Sequence, residues 1–250
     1  MNGLVTSSIL QGPRACQEDR YFYKKIRNSK FYGWLLAVMD GHRGSSVAEL
    51  CMKEIDGLFE LSDPNLTEKA LRDLVSALNL KTLHCHEGST LSVACILESH
   101  NKVTVAVLGD SPVIVVDGKN KLHISPEHNV RSNLEERRAA EKRGGVYSGG
   151  YLYIQGGGSF DYGLQLSRVL GDSSLSSVLS REPDIYTIQD PSWILVASDG
   201  LIDPNHEDSE SLFREIEKYA KKHAKADDLM QWAEKRGLCD NATALVWHRL

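Results

Sequence analysis

The chain is predicted to be an α+β protein built on antiparallel sheets, and three observations carry that prediction. Apolar runs rich in β-branched and aromatic residues recur along the 250 residues, at 34–39, 90–97, 102–108, 113–116, 193–198 and 243–248. Runs of that length and composition read as buried strands. Between them lie segments whose apolar residues recur at helical spacing. Strands and helices come in blocks rather than in strict alternation, which favours antiparallel sheets with segregated helices over a βαβ fold.

Taken in order, the residues up to Met39 read as strands joined by turns at Gly12-Pro13 and Asn28-Ser29-Lys30. A helix is expected over 45–59, where Val47, Leu50, Cys51, Ile55, Leu58 and Phe59 share one face. A second is expected from Asn65, with Asn65 and Glu68 as a capping box and Leu66, Leu71, Leu74 and Leu78 on the buried side. The strand block 90–116 follows, with a turn at Ser111-Pro112 and another at Asp117-Gly118. A third helix should start near Ser132, with Glu135 three residues on, and stop at Gly144-Gly145. Two more are expected over 209–222 and 227–235, before the last strand. Residues 144–177 differ in character, carrying Gly149-Gly150, Gly156-Gly157-Gly158, Tyr147, Tyr151, Tyr153, Phe160 and Tyr162. They read either as a mobile loop beside a site or as a glycine-punctuated hairpin with packed aromatics.

Composition narrows the function classes. A net charge of −5 argues against non-specific nucleic-acid binding. The basic residues Arg137, Arg138 and Arg143 are interleaved with Glu135, Glu136 and Glu141, as on a solvated helix face. No signal peptide or membrane-spanning run is visible, so no membrane partner is expected. The five scattered cysteines suit a reduced, cytoplasmic protein. His84-Cys85-His86 lacks a second ligand pair at zinc spacing. No linker or repeat divides the chain, and one domain spanning 1–250, acting as a monomer, is expected.

Four aspartates carry the chemistry. Asp40 ends the run 34–39 and opens Asp40-Gly41-His42-Arg43-Gly44; Asp110 stands in Gly109-Asp110-Ser111; Asp199 follows 193–198; Asp240 precedes 242–247. One carboxylate at a strand end is ordinary, because Asp favours turns. Several, far apart in sequence, suggest a cluster assembled by the sheets, and such a cluster repels itself unless cations fill it. Near the N-terminus, Arg14, Cys16 and Glu18 would share a face if residues 14–18 were an extended strand. Arg14 and Glu18 would then either pair or divide the work at a metal site, Arg on phosphate oxygens and Glu on metal-bound water.

In order along the chain, Arg14…Glu18-Asp19, Asp40-Gly41-His42-Arg43-Gly44, Gly88-Ser89-Thr90, Gly109-Asp110-Ser111 and Ser125-Pro126-Glu127-His128 form one series. It continues with Gly144-Gly145-Val146, Leu166-Ser167-Arg168-Val169-Leu170-Gly171-Asp172, Glu182-Pro183, Asp199-Gly200 and Asp240-Asn241. The series resembles the metal-dependent Ser/Thr protein phosphatases of type 2C over nearly the whole chain. That resemblance implies a four-layer αββα sandwich, with two antiparallel sheets flanked by helices and a two-metal cleft at one end. It further implies that Asp40 bridges two Mn²⁺ or Mg²⁺ ions, that Asp199 and Asp240 complete one ion's ligands and that the Gly41 carbonyl serves the other. Glu18 and Asp19 would act through metal-bound waters. Asp110 and Asp203 match positions that some members use for a weaker third ion, although Asp203 also suits a turn cap. The implied reaction is hydrolysis of phosphoserine or phosphothreonine in phosphoproteins by in-line attack of a metal-bridging hydroxide. Arg14 would bind the phosphate and His42 would protonate the departing oxygen, unless His42 only ties down its loop. The segment between Gly144 and Asp172 corresponds to the family's flap.

Two departures stand out: Arg43 where a second glycine is usual, and Pro112 where an arginine is usual. A non-catalytic relative would lack a ligand aspartate or the motif arginine, and neither is missing.

Overall fold

A computed structural model describes residues 2–154, 162–203 and 209–250. β1 (Gly3–Leu10) leads through a loop into the hairpin of β2 (Arg20–Arg27) and β3 (Tyr32–Met39), and a two-residue strand, β4 (Gly41–His42), precedes helices α1 (Ser46–Leu58) and α2 (Thr67–Thr82). Then come β5 (Gly88–Ser89), β6 (Leu91–Leu97), β7 (Lys102–Leu108), β8 (Val113–Asp117) and β9 (Leu122–Ile124). Helix α3 (Leu134–Lys142), the hairpin β10 (Gly145–Ser148) and β11 (Tyr151–Ile154), and β12 (Leu170–Gly171) follow. The chain finishes with β13 (Asp184–Gln189), β14 (Pro191–Ala197), α4 (Asp199–Ile202), α5 (Ser209–Ala220), α6 (Ala226–Arg236) and β15 (Ala242–Arg249).

Two five-stranded antiparallel sheets carry the architecture, in the orders β1-β15-β14-β8-β9 and β13-β7-β6-β3-β2. Alternation along single strands explains the layers. On β3, Leu36 and Val38 face the second sheet and meet Val196, Leu245 and Trp247, whereas Leu35, Ala37 and Met39 pack against Ile55, Leu71 and Leu74 of α1 and α2. On β14, Ile194 and Val196 join the inter-sheet core, while Trp193, Leu195 and Ala197 pack under Ile216, Leu229 and Met230 of α5 and α6. Strands covered on both faces need apolar residues at every position, so these runs look continuous rather than alternating. The result is the αββα sandwich expected from the resemblance.

Local chemistry corrects several sequence expectations. The second helix is preceded by a 3₁₀ turn over Pro64–Leu66; Asp63, not Asn65, is its cap, accepting from the Asn65 N–H at 2.8 Å with Pro64 next in line. Asn133, rather than Ser132, caps α3 by accepting from the N–H groups of Glu135 and Glu136. Residues 14–18 are not a strand: the chain turns at Gly12, whose φ is +61°, and crosses to β2 as a loop. Arg14 and Cys16 are exposed there. β13 was not foreseen, because Asp184–Gln189 mixes polar residues into an edge strand that is mostly half-buried.

Within 144–177, Gly145–Ser148 and Tyr151–Ile154 form the β10–β11 hairpin, and residues from 162 onward join a separate small core of Val130, Ala140, Leu152, Leu164, Leu166 and Val169. Tyr147 and Tyr162 pack against this core, as the hairpin reading expects. The triple glycine and Phe160 lie outside the described residues.

A candidate metal-assisted phosphate site at one end of the sandwich

The antiparallel topology gathers the aspartates. β3 and β14 end where β2 and β15 begin, with Met39 opposite Arg20 and Ala197 opposite Ala244. Asp40, Asp199, Asp19 and Asp240 therefore emerge at the same end, joined by Asp110 after β7. A cleft of about 480 Å³ opens there, lined by Arg14, Glu18, Asp40, Gly41, His42, Asp110, Asp199 and Asp240 together with Tyr162 and residues 163–166. A smaller cavity of about 50 Å³ adjoins it, where Asp203 meets Asp110 and Asp199. Asp203 also closes α4, its N–H donating to the Asp199 carbonyl at 2.8 Å.

Small polar residues hold these acids in place. The Asp40 N–H donates to Thr90 Oγ1 at 3.0 Å and the Thr90 N–H returns to the Asp40 carbonyl at 2.9 Å. Thr90 Oγ1 also meets Ser111 Oγ at 2.7 Å, which couples the Asp40 loop to the Asp110 turn. Gly41 must be glycine, since a Cβ would stand 2.6 Å from the Glu18 carbonyl oxygen. Asn241, almost fully buried, accepts from the Glu18 N–H at 2.8 Å and donates to the carbonyls of Gln11 and Cys16 at 2.8 and 2.9 Å. It thereby fixes the loop that carries Arg14 and Glu18. Nothing in the sequence announced that role beyond the adjacency of Asn241 to Asp240.

Electrostatics identify the centre of the cluster. Burial, then the charges of Asp19 and Asp199, push the Asp40 carboxyl well above the usual carboxylate range. Asp40 shares side-chain hydrogen bonds with both neighbours. Asp19 is buried and raised in the same direction by desolvation, against hydrogen bonds from Ser198 and Thr243. Its Oδ2 accepts from both hydroxyls at 2.7 Å, whereas its Oδ1 is buried with no hydrogen-bond partner. A buried, unpartnered carboxylate oxygen beside crowded acids is what an oxygen-ligated cation would relieve. Among the described residues no three acidic, histidine or cysteine side chains are gathered into a ready-made metal cage. Asp240 is paired with Arg14, whose Nη2 donates to its Oδ2 at 2.5 Å. The donor set is nonetheless all oxygen, which fits Mn²⁺ or Mg²⁺ and not zinc.

His42, on β4, is held at 2.5 Å by the carboxylate of Asp172. Arg43 has φ +63°, donates to the His86 carbonyl at 3.1 Å and stacks on the Tyr162 ring at 3.9 Å. Replacement of the usual glycine thus ties the cleft wall to the segment that carries Tyr162. Pro112 forgoes a donor, but its carbonyl still accepts from the Ala197 N–H at 3.0 Å. All five cysteines are unbridged; Cys16 is exposed, and burial together with Cys85 pushes the Cys51 thiol up to about 12.

Fold and cleft together define a class: an αββα sandwich with an oxygen-donor acidic cleft at the ends of its sheets. A family model described as protein phosphatase 2C matches residues 4–242. The probable protein phosphatase 2C 52 of Oryza sativa is 31% identical, over 96% of this chain and 49% of its own length. The probable protein phosphatase 2C 11 of Arabidopsis thaliana is 29% identical, over 96% of this chain and 64% of its own. Among solved structures, a C. elegans sex determining protein superposes with a TM-score of 0.76 at 24% identity, covering 98% of this chain and 64% of that one. The serine-threonine phosphatase 2C of Toxoplasma gondii gives 0.70 at 20% identity, covering 98% and 94%. The chain belongs to the protein phosphatase 2C family. It spans about half to two-thirds of the length of the curated relatives it matches.

Proposed function

We propose that the protein hydrolyses phosphoserine and phosphothreonine in phosphoprotein substrates, as a single phosphatase domain whose flap at 144–177 borders the cleft. The observation that carries this reading is the meeting of Asp40 with Asp19 and Asp199 beneath an arginine at the cleft mouth. Asp40, the Gly41 carbonyl, Asp199 and Asp240 would hold two Mn²⁺ or Mg²⁺ ions, Glu18 and Asp19 would hold their waters, and Asp110 with Asp203 would hold a weaker third. Bound there, the ions supply a hydroxide near neutral pH and screen the charge of the phosphoryl oxygens.

This chain's own groups do the rest. Arg14 leaves Asp240 and forks onto two phosphate oxygens, orienting phosphorus for in-line attack. Asp240, no longer paired with Arg14, would then be free to serve among the residues that hold a cation. His42 donates its proton to the seryl or threonyl oxygen as the P–O bond breaks. The flap residues Tyr162, Leu164 and Leu166 wall the cleft on one side and limit water around the phosphate. Among the described residues no helix is long and apolar enough to cross a membrane. With unbridged cysteines and a net charge of −5, the reading extends to a cytoplasmic monomer acting on proteins rather than nucleic acids.

Phosphate release from a phosphothreonine peptide tests the whole reading. Activity should vanish in excess EDTA and return with Mn²⁺ or Mg²⁺; full activity in EDTA would overturn it. Arg14→Ala should act mainly on substrate capture, raising KM about 10- to 100-fold with a smaller loss in kcat. Unchanged kinetics would remove Arg14 from the site.

A further inference from the structure

Asp172 ends the Ser167-Arg168-Val169-Leu170-Gly171-Asp172 motif, yet it does not line the acidic cleft. Its side chain is fully buried behind the cleft wall. One carboxylate oxygen, Oδ2, lies 2.5 Å from His42 Nε2, and the other, Oδ1, accepts from the Tyr162 hydroxyl at 2.9 Å. Both oxygens are therefore engaged away from the candidate ions.

The backbone is shaped to place that carboxylate. Asp172 has φ +49°, a left-handed conformation that few residues other than glycine, Asn and Asp adopt. Its N–H donates to the Glu87 carbonyl at 2.9 Å, and its carbonyl accepts from the Leu175 N–H at 2.9 Å. Arg181 donates to the carbonyls of Val169 and Gly171 just upstream. Gly88, on β5 opposite His42, makes the contact possible. A Cβ there would stand 1.9 Å from Asp172 Oδ2 and 2.2 Å from His42 Nε2. The pair is thus fixed before any substrate arrives.

We propose that Asp172 is a positioning residue for His42, holding the imidazole by Nε2 so that Nδ1 carries the proton delivered to the leaving group. The inference rests on His42 being the proton donor. Water supplies the new oxygen on phosphorus while the P–O bond to the side-chain oxygen breaks, and its electron pair stays with that oxygen. The proton on His42 moves to it, giving the free serine or threonine hydroxyl. The neutral imidazole, still hydrogen-bonded to Asp172, regains a proton from solvent. A buried carboxylate behind the ring fixes its direction, as an orienting third group does in other proton-transfer sites.

The test compares a phosphothreonine peptide, whose alkoxide leaving group needs a proton, with p-nitrophenyl phosphate, whose phenolate does not. Asp172→Asn keeps size and a hydrogen-bond acceptor but removes the charge. It should lower kcat on the peptide by about 10²-fold and on p-nitrophenyl phosphate by less than about 3-fold, with the Mn²⁺ concentration for half-activation unchanged. His42→Ala should show the same selectivity, and the double variant should be no worse than His42→Ala. Tyr162→Phe, which frees Oδ1 without adding bulk, should lose activity with the same bias in smaller measure, and keeps the test open if Asp172→Asn folds poorly. Equal losses on both substrates, or additive losses in the double variant, would overturn the inference. If His42→Ala is selective and neither Asp172→Asn nor Tyr162→Phe is, only this inference falls. If His42→Ala is itself unselective while metal dependence persists, the His42 assignment falls with it.

Discussion

Asp40→Asn should abolish turnover and, in metal-free buffer, leave the protein harder to unfold than wild type. The two effects share one cause. Asp40 is half-buried and hydrogen-bonded to two other acids, so its charge costs folding free energy when no cation is present. The amide is neutral, nearly isosteric and able to donate to both Asp19 and Asp199. A gain on the order of 1 kcal/mol is expected, a rise of about 2–4 °C in Tm for a domain of this size. Saturating Mn²⁺ should reverse the order, because only wild type binds it well. Loss of metal-derived charge stabilisation worth several kcal/mol predicts a fall in kcat of at least about 10³-fold.

The pH dependence has a definite sign. Between the ordinary carboxylate range and the raised one, folded wild type holds a proton on Asp40 that the unfolded chain has released. Lowering the pH through that window therefore favours the folded state. The stability gap between metal-free Asp40→Asn and wild type should be widest at neutral pH and close as the solution is acidified. Equal Tm values at pH 7 without metal, measured by calorimetry, would contradict the crowding of these acids.

Trp193→Ala should give the largest loss of stability. Trp193 is fully buried between β14 and the helices α5 and α6, and its indole N–H donates to the Ala224 carbonyl at 2.9 Å. Truncation leaves a cavity and strands that carbonyl, at a cost of about 3–5 kcal/mol. At about 2–4 °C per kcal/mol, thermal melting should fall by roughly 10 °C. Because β14 delivers Asp199 to the cleft, Mn²⁺ affinity should weaken as well. A melting shift of a degree or two would show that α6 tolerates the void.

The residues that read correctly from sequence are those governed by burial. Strands 34–39, 102–108 and 193–198 are apolar at nearly every position, Lys102, Thr104 and Ser198 excepted, because two layers cover them, and that signal needs no partner to be seen. That Asp40, Asp199 and Asp240 would come to one cleft was legible for a related reason: Asp40 and Asp199 sit where such a run stops and Asp240 just before one begins. What stayed hidden depends on contacts between distant segments. The loop holding Arg14 and Glu18 takes its shape from Asn241, more than 220 residues away along the chain. An extended reading of residues 14–18 had no means of anticipating that. Asp63 displaced Asn65 as a cap because Pro64 already fixes the first turn. The partnership of His42 with Asp172 spans 130 positions and exists only because Gly88 leaves room for it.

β2 closes one edge of its sheet, and its free side presents a backbone row open to any strand of another molecule. Lys24, Lys25 and Arg27 stand exposed along it, and Lys24 reaches Asp56 at 2.5 Å. Two copies brought edge to edge would set these cations against one another. The strand that follows Asp19 thus also carries the kind of charged border that disfavours edge-to-edge pairing of sheets.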